Sequence, residues 1–278
     1  RKDKTTIEKL KQVLQNDSFY GVRIAASKAL RKIASDAAYE TLSESTEQPN
    51  AKVRSQVVSD IASQPKPNAL PQLKRILSTE KNPSIRARAI NGLAGYDDKH
   101  SNKLLHQALG QASFRNQIAD AAIIALRKQD KPSNIAKIQT IIEEQGNKFT
   151  TNGYANAIRA IGFLGRNQKQ KNNLREFLIS YIHNPKRRIA LAAIEALGQL
   201  GDPRVIATLE KFSHNAKGDP FRKAAEQAIE KIRSTRKPAD DYKNLRKEVT
   251  HLKQSNSKLS KELNTLKKRF DTVLDKKP

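Results

Sequence analysis

Hydrophobic positions recur along this chain at intervals of 31 to 36 residues. With Arg23 as the zero position of the first copy, Val22 stands one position before it, Ala26 three positions after it and Leu30 seven after it. The later copies have their zero positions at Arg54, Arg86, Ala119, Tyr154, Ala190 and Arg222. Offsets of −1, +3 and +7 lie on one face of a helix, so each copy predicts a helix that packs a ridge of small and apolar residues on a close neighbour.

Further apolar stripes, such as 70–77 and 135–142, lie between these copies and predict the first helix of a two-helix unit. Helix starts are marked by Asn82-Pro83, Asn184-Pro185 and Asp219-Pro220. Gly165 and Gly201 are expected to end helices in left-handed caps. Because one helix pair cannot bury both of its apolar faces, the sequence predicts an all-α fold over residues 1–233, an α-α superhelix of about seven stacked helical hairpins.

A different period begins after residues 234–241, a Pro-containing stretch that we interpret as a linker. Apolar residues then alternate in steps of three and four, which predicts a coiled-coil helix over 242–278. The seam consists of Leu245, Val249, Leu252, Asn256, Leu259, Leu263 and Leu266. A single Asn at an a position and Glu–Lys pairs beside the seam favour a parallel homodimer. The alternative, that this helix folds back as a cap on its own superhelix, stays open.

The residue types exclude several chemistries. The 278 residues include no Cys, so disulfides, thiolate metal sites and a cysteine nucleophile are ruled out. The five His residues are scattered outside any H-E-x-x-H pattern, and we predict no catalytic residue, metal ligand or cofactor within this chain. Apolar runs are too short to predict a membrane span. Since the sequence starts at Arg1 and contains no Met, we interpret it as a fragment or a processed chain.

The formal net charge is +25, which attracts polyanions such as acidic protein or nucleic acid. The candidate polyanion contacts are Lys186, Arg187, Arg188, Arg222 and Lys223, which stand at helix starts. The alternative is that the cations simply cover solvated helix faces. Aromatic residues are not interleaved with these cations as base stacking requires, so nucleic acid is the less favoured partner.

The order Asp, Val-Arg, Ala, Ala-Leu resembles that of short HEAT repeats. The resemblance implies a structural ladder between adjacent repeats, made by the Arg and by an acid six residues before it. The ladder candidates are Asp17, Arg23, Arg54, Glu80 and Arg86. Gln48 occupies the acid position before Arg54, and the Arg is missing from copies four to six, so an interrupted ladder is expected.

The segment "TTIEKLKQVLQNDSFYGVRIAASKALRKI", together with "LGDPRVIATLEKF" and "FRKAAEQAIEKIR", resembles the C-terminal HEAT region of bacterial M1-type (aminopeptidase N-like) zinc metallopeptidases. The resemblance implies a non-catalytic domain that covers or gates the active-site chamber. Zinc and the catalytic acid would belong to a domain upstream of Arg1, which would be the main partner.

Three alternatives to an active peptidase of this kind stay open. One is a homologue that has kept the scaffold and lost the peptidase. The others are independent basic HEAT adaptors, for acidic protein or for nucleic acid. Cytoplasmic location is favoured, and a secreted or periplasmic one stays open.

Overall fold

The computed structural model describes residues 4–66, 68–234, 249, 252–253, 255–263 and 267. The chain divides into two compact units, Arg1–Lys231 and Ile232–Pro278. The described residues up to 234 form fourteen α-helices and no β-strand. In chain order these helices pair into seven hairpins, which confirms the predicted all-α superhelix. None of the helices among the described residues is long and apolar enough to cross a membrane.

The helices have the following bounds: α1 Lys4–Asn16, α2 Tyr20–Ile33, α3 Asp36–Glu44, α4 Ala51–Ala62, α5 Ala69–Thr79, α6 Pro83–Leu93, α7 Lys99–Leu109, α8 Gln117–Gln129, α9 Ile135–Gln145, α10 Thr151–Gly165, α11 Asn172–Ile179, α12 Arg187–Leu200, α13 Ile206–Ser213 and α14 Pro220–Ser234. The seven copies of the hydrophobic template fall on the even-numbered helices. Each repeat is therefore an odd-numbered helix followed by an even-numbered one.

The even-numbered helices from α2 to α12 pack side by side in one layer. Their backbones approach closely because the facing residues are small. A Cβ placed on Gly162 of α10 would lie 2.4 Å from the carbonyl oxygen of Ala196 in α12, and one on Gly198 would lie 2.7 Å from the Cβ of Ala228. Small residues thus bring successive repeats into close contact, and the predicted ridge positions of α10, Ala157 and Ile161, are buried.

Helix ends follow the predicted caps in part. Asn82 accepts a hydrogen bond from the backbone N–H of Ser84 (2.9 Å) at the start of α6, which has Pro83 in its first turn. Asp219 accepts from the N–H of Phe221 (2.9 Å) in the same way. Asn184 instead forms a turn before α12, which begins at Arg187.

The two glycines expected to end helices behave differently. Gly201 ends α12 in the left-handed region, with a φ of 68°. The expectation for Gly165 is wrong, because this residue lies inside α10 and the cap is Arg166 in right-handed conformation. A Cβ on Gly165 would lie 2.6 Å from Leu174 Cδ1, so close packing rather than a turn requires glycine here.

In the second unit the described residues are helical, and the apolar seam positions among them are exposed. Leu245, Leu266 and most of the predicted linker lie outside the described residues. The division between the units falls at Ile232, next to the predicted boundary after residue 233. The limits 234–241 and 242–278 stay predictions.

Candidate functional site

A ladder of polar side chains joins the first four repeats. Arg23 Nη1 donates to Gln48 Oε1 (3.2 Å), Arg54 Nε donates to Glu80 Oε2 (2.9 Å), and Arg86 Nη2 donates to Gln111 Oε1 (3.0 Å). Each arginine sits at a zero position and reaches forward to the joint of the next repeat. The side chain six residues before an arginine is therefore the partner of the preceding repeat's arginine.

Two of the predicted ladder pairs, Asp17 with Arg23 and Glu80 with Arg86, do not form in the structure. Glu80 is bound by Arg54 and not by Arg86, which follows it in sequence. Asp17 instead accepts a hydrogen bond from the backbone N–H of Phe19 (2.8 Å). Burial would raise the pKa of Glu80, but hydrogen bonds from Arg54 and from the backbone of Asn82, with the charge of Arg54, hold it below its ordinary value. The ladder carboxylate is therefore ionised at neutral pH.

A surface pocket of about 400 Å³ opens at this ladder between the second and third repeats. Two of its arginines, Arg54 and Arg75, pair with Glu80 and Glu47. These opposite charges satisfy one another within the chain. The pocket is thus a by-product of the ladder rather than a site that calls for a charged ligand.

Beyond the fourth repeat the joints become aromatic. Tyr154 occupies the zero position of the fifth copy, and its hydroxyl donates to the hydroxyl of Tyr181 (3.1 Å). At the next joint the rings of Phe212 and Phe221 stack with centroids 6.0 Å apart, and the guanidinium of Arg187 lies 5.6 Å from the Phe221 ring centroid. Burial, followed by the hydrogen bond with Tyr181, raises the pKa of Tyr154, so its hydroxyl stays protonated. In the fifth copy, an aromatic contact thus takes the place of the missing ladder arginine.

Three of the five candidate polyanion contacts pair with another side chain of the protein, and the other two are exposed lysines. Arg187 lies 3.8 Å from the carboxylate of Asp219, Arg188 bonds to Asn152, and Arg222 binds Glu226 (2.8 Å). Lys186 and Lys223 are exposed. Three of the five predicted contacts thus already have partners inside the chain. Their role in binding a polyanion stays a prediction.

No group of three or more potential metal ligands comes together among the described residues. His106 shows what the histidines do instead. Its Nε2 lies 2.9 Å from Asn134 Oδ1, and its Nδ1 lies 2.8 Å from Lys137 Nζ. The His106 imidazole thus links α7 to the following hairpin and has a structural role.

The first repeat presents an apolar surface that the other repeats bury. Val22, at the −1 position of α2, is 41% exposed. Its counterparts in four later copies are 0–2% exposed, and they are Val53, Ile85, Ile118 and Ile189. The even-numbered helices of those four copies each contact the preceding even-numbered helix. We call the surface formed by Phe19 and Val22 at the start of α2 the end face.

The end face is built rigidly by the turn that precedes α2. Phe19 is 59% exposed, and its ring lies over Gly21, where a Cβ would approach to 2.6 Å from Phe19 Cε1. The Phe19 carbonyl accepts from the backbone N–H groups of Val22 (3.0 Å) and Arg23 (3.3 Å). With the Asp17 carboxylate holding the Phe19 N–H, the aromatic ring is fixed in an exposed position.

The Phe19-Tyr20-Gly21 triplet stands in the first copy and in no other. The sequence template misses the exposure of Val22, because it treats that residue as one ridge position among seven. The later ridge positions of the same copy, Ala26 and Leu30, are 4% and 0% exposed, so the exposure is confined to the start of α2.

The HEAT-repeat family model matches residues 7–83 and 147–230, more than half of the chain. The chain is a HEAT-repeat protein. The hairpins of this HEAT-repeat array continue through the unmatched residues 84–146, where α6 to α9 keep the same pairing. A search of the curated proteins returned no match.

Several solved structures are similar to the HEAT-repeat array at low identity. Human deoxyhypusine hydroxylase is 14% identical, with a TM-score of 0.42 over 83% of this chain and 96% of that chain. The complex of CpcE and CpcF of phycocyanin lyase from Nostoc sp. PCC7120 is 18% identical, with a TM-score of 0.49 over 81% and 94%. An engineered protein is 17% identical, with a TM-score of 0.35 over 82% and 96%. At this level the likenesses add nothing to the family match.

Proposed function

We propose that this HEAT-repeat chain is a non-catalytic scaffold whose end face docks a helix of a neighbouring domain. The observation that carries the proposal is the contrast at the −1 position, where Val22 is 41% exposed and its four counterparts are 0–2% exposed. A side chain that the repeat is built to bury is left open at one end. Complete burial of a fully exposed side chain of this size contributes about 1.5–3 kcal/mol, so covering the exposed 41% of Val22 contributes about 0.6–1.2 kcal/mol.

The packing inside the array indicates what the occupant looks like. Inside the array, α10 presents Gly162 to Ala196 of α12, and α12 presents Gly198 to Ala228 of α14. The occupant of the end face is therefore an apolar helix with small residues at the contact. The exposed ring of Phe19 adds aromatic area at the edge of this contact.

In its finer form the proposal identifies the neighbour as the catalytic domain of an M1-type zinc aminopeptidase, an enzyme that removes N-terminal amino acids from peptides. Its support is the resemblance carried by Phe19, Tyr20, Gly21, Val22 and Arg23, and the end face is made by two of these same residues. The comparisons do not connect the chain to a peptidase. The HEAT scaffold would then cover or gate the active-site chamber without taking part in the chemistry.

The coding sequence upstream of Arg1 tests the finer form directly. We expect an H-E-x-x-H motif followed by a further Glu, the pattern of a zinc-dependent peptidase. A coding sequence without that motif overturns the peptidase assignment, and it leaves the scaffold proposal to be tested by binding.

Binding of the upstream domain, produced as a separate polypeptide, tests the end face. Phe19→Ala and Val22→Asp are expected to weaken binding at least tenfold, while circular dichroism shows an unchanged helix content. Phe114→Ala is the matched control, since Phe114 is 66% exposed and lies in the fourth repeat. Equal binding by all of these variants contradicts docking at the end face.

The net charge of +25 supports a second candidate, an independent adaptor that binds an acidic protein or nucleic acid. Titration with duplex and single-stranded DNA at two salt concentrations tests the nucleic-acid form. Phosphate contacts are strongest at low salt, so lack of binding at about 50 mM salt rules it out.

A further inference from the structure

The second unit carries an apolar stripe on a helix whose described residues are exposed. Val249, Leu252, Leu259 and Leu263 are 45%, 62%, 63% and 67% exposed. Their spacing of three, seven and four residues puts them on one side of the helix. A lone helix is marginal in water, and most helical stability in proteins comes from packing of the apolar face. We therefore expect this stripe to pack against a partner helix whose apolar residues have the same spacing.

Charges beside the stripe match a second copy of the same helix. With Leu252 and Leu259 at d positions, Glu262 is a g residue and Lys267 is the following e residue. In a parallel dimer the g residue of one helix faces that e residue of the other, so Glu262 and Lys267 attract across the pair, twice by symmetry. Glu248 and Lys253 have the same spacing in the sequence. A second copy in register thus places opposite charges side by side at these g and e positions.

Asn256 interrupts the apolar stripe at an a position and is exposed. On the surface of a solitary helix this amide has no special consequence. In a parallel dimer the two Asn256 side chains meet and hydrogen bond, which fixes register and favours two strands over three or four. A partner that offered only apolar side chains would leave the amide unsatisfied.

We infer that residues 249–263, within the predicted coil 242–278, form a parallel homodimerisation surface whose occupant is the same segment of a second copy. The proposal is independent of the proposed function because it rests on residues of the other unit. Lys and Arg outnumber Asp and Glu by fourteen to six in residues 232–278. The net positive charges of the two segments repel each other at long range. Because added salt screens this repulsion, it is expected to lower the dissociation constant of the dimer.

Sedimentation equilibrium of the full chain tests dimerisation. We expect twice the mass of one chain, with a dissociation constant that falls as the salt concentration rises. Leu259→Asp is expected to raise the dissociation constant at least a hundredfold. Ser257→Asp introduces the same charge at a b position away from the seam, and it is expected to keep the dimer. A monomeric wild-type chain, or equal behaviour of the two variants, overturns the proposal.

A cysteine cross-link tests orientation, and the absence of natural cysteines makes the result unambiguous. In a parallel dimer the d positions of the two helices face each other within disulfide reach. Under mild oxidation Leu259→Cys is expected to form a covalent dimer at least tenfold faster than Ser257→Cys. Equal rates overturn the parallel arrangement even when the chain is a dimer. The expected product of Asn256→Leu is a mixture of dimers and larger species, and a pure dimer contradicts the role given to Asn256.

Discussion

Gly162 lies where α10 passes so near to α12 that no side chain fits. Replacing a helical glycine by alanine normally stabilises a helix by about 0.5–1 kcal/mol. At Gly162 the new Cβ would lie 2.4 Å from the Ala196 oxygen, so the helices must separate. We expect Gly162→Ala to lower the free energy of unfolding by about 1–3 kcal/mol, as other overpacked sites do.

Gly110 provides the matched control for this prediction. It follows α7, has a φ of −84°, and a Cβ placed there meets its nearest atom at 3.9 Å. Gly110→Ala is expected to leave the urea unfolding midpoint unchanged or slightly raised. Equal destabilisation by the two substitutions would contradict the view that backbone contact, rather than glycine's own conformation, matters at Gly162.

Asp202 is a buried carboxylate that ties α11 to the turn before α13. Burial alone would raise its pKa, but hydrogen bonds from the side chain and backbone of Arg204 and from Arg175 hold the pKa below its ordinary value. Arg175 Nη1 lies 2.9 Å from Asp202 Oδ2, and Arg204 Nη2 lies 2.8 Å from the same oxygen. The ionised form therefore belongs to the folded state.

Asp202→Asn keeps the shape and the cap at the start of the following turn but removes the charge. A carboxylate with a lowered folded-state pKa stabilises the fold above its unfolded pKa of about 3.9, and this stabilisation is lost as the pH falls through the folded value. We expect the variant to be less stable by about 1–2 kcal/mol near pH 7 and the difference to shrink below about pH 3. Urea unfolding at both pH values checks this, and a difference independent of pH contradicts it.

At the scale of the element, the even-numbered helices show how far sequence reasoning reaches. The ridge spacing predicts all seven of them, because side chains on one helical face must meet a neighbour. Turn geometry is harder to predict from the sequence. Gly165 has the sequence pattern of a helix cap, but its missing side chain allows close packing against Leu174. The ladder partners are also missed, because Arg54 reaches Glu80 across 26 residues and only the stacking of repeats decides which joint each arginine meets.

Val22 and Val53 allow an element-scale test, since they occupy the same position in successive copies. Val53 is fully buried beneath the preceding repeat, whereas Val22 lies on the end face. We expect Val53→Ala to reduce the free energy of unfolding by about 2–3 kcal/mol and Val22→Ala by less than about 1 kcal/mol. Chemical denaturation of the two variants measures both values. Similar losses would mean that the first repeat is already covered within the chain.

At the scale of the whole molecule, the zero positions of the array use two different chemistries. Arg54 pairs with Glu80 in the first repeats, whereas Tyr154 contacts Tyr181 in the fifth, where ion pairs such as Arg159 with Glu195 also join the helices. The sequence predicts the interruption of the ladder, because copies four to six lack the arginine. It does not predict the contact between Tyr154 and Tyr181, because these aromatic residues come from separate segments of the chain.

The open end face makes the stability of the first repeat depend on what surrounds the protein. A bound neighbour stabilises the folded state by an amount that grows with the concentration of that neighbour. Without it, Val22 stays exposed, and the first repeat is expected to open more often than repeats whose −1 position is buried. Proteases act on such open states. On the proposed function, a copy made in excess of its partner would be degraded first, and the exposed Val22 would link the amount of scaffold to the amount of its partner.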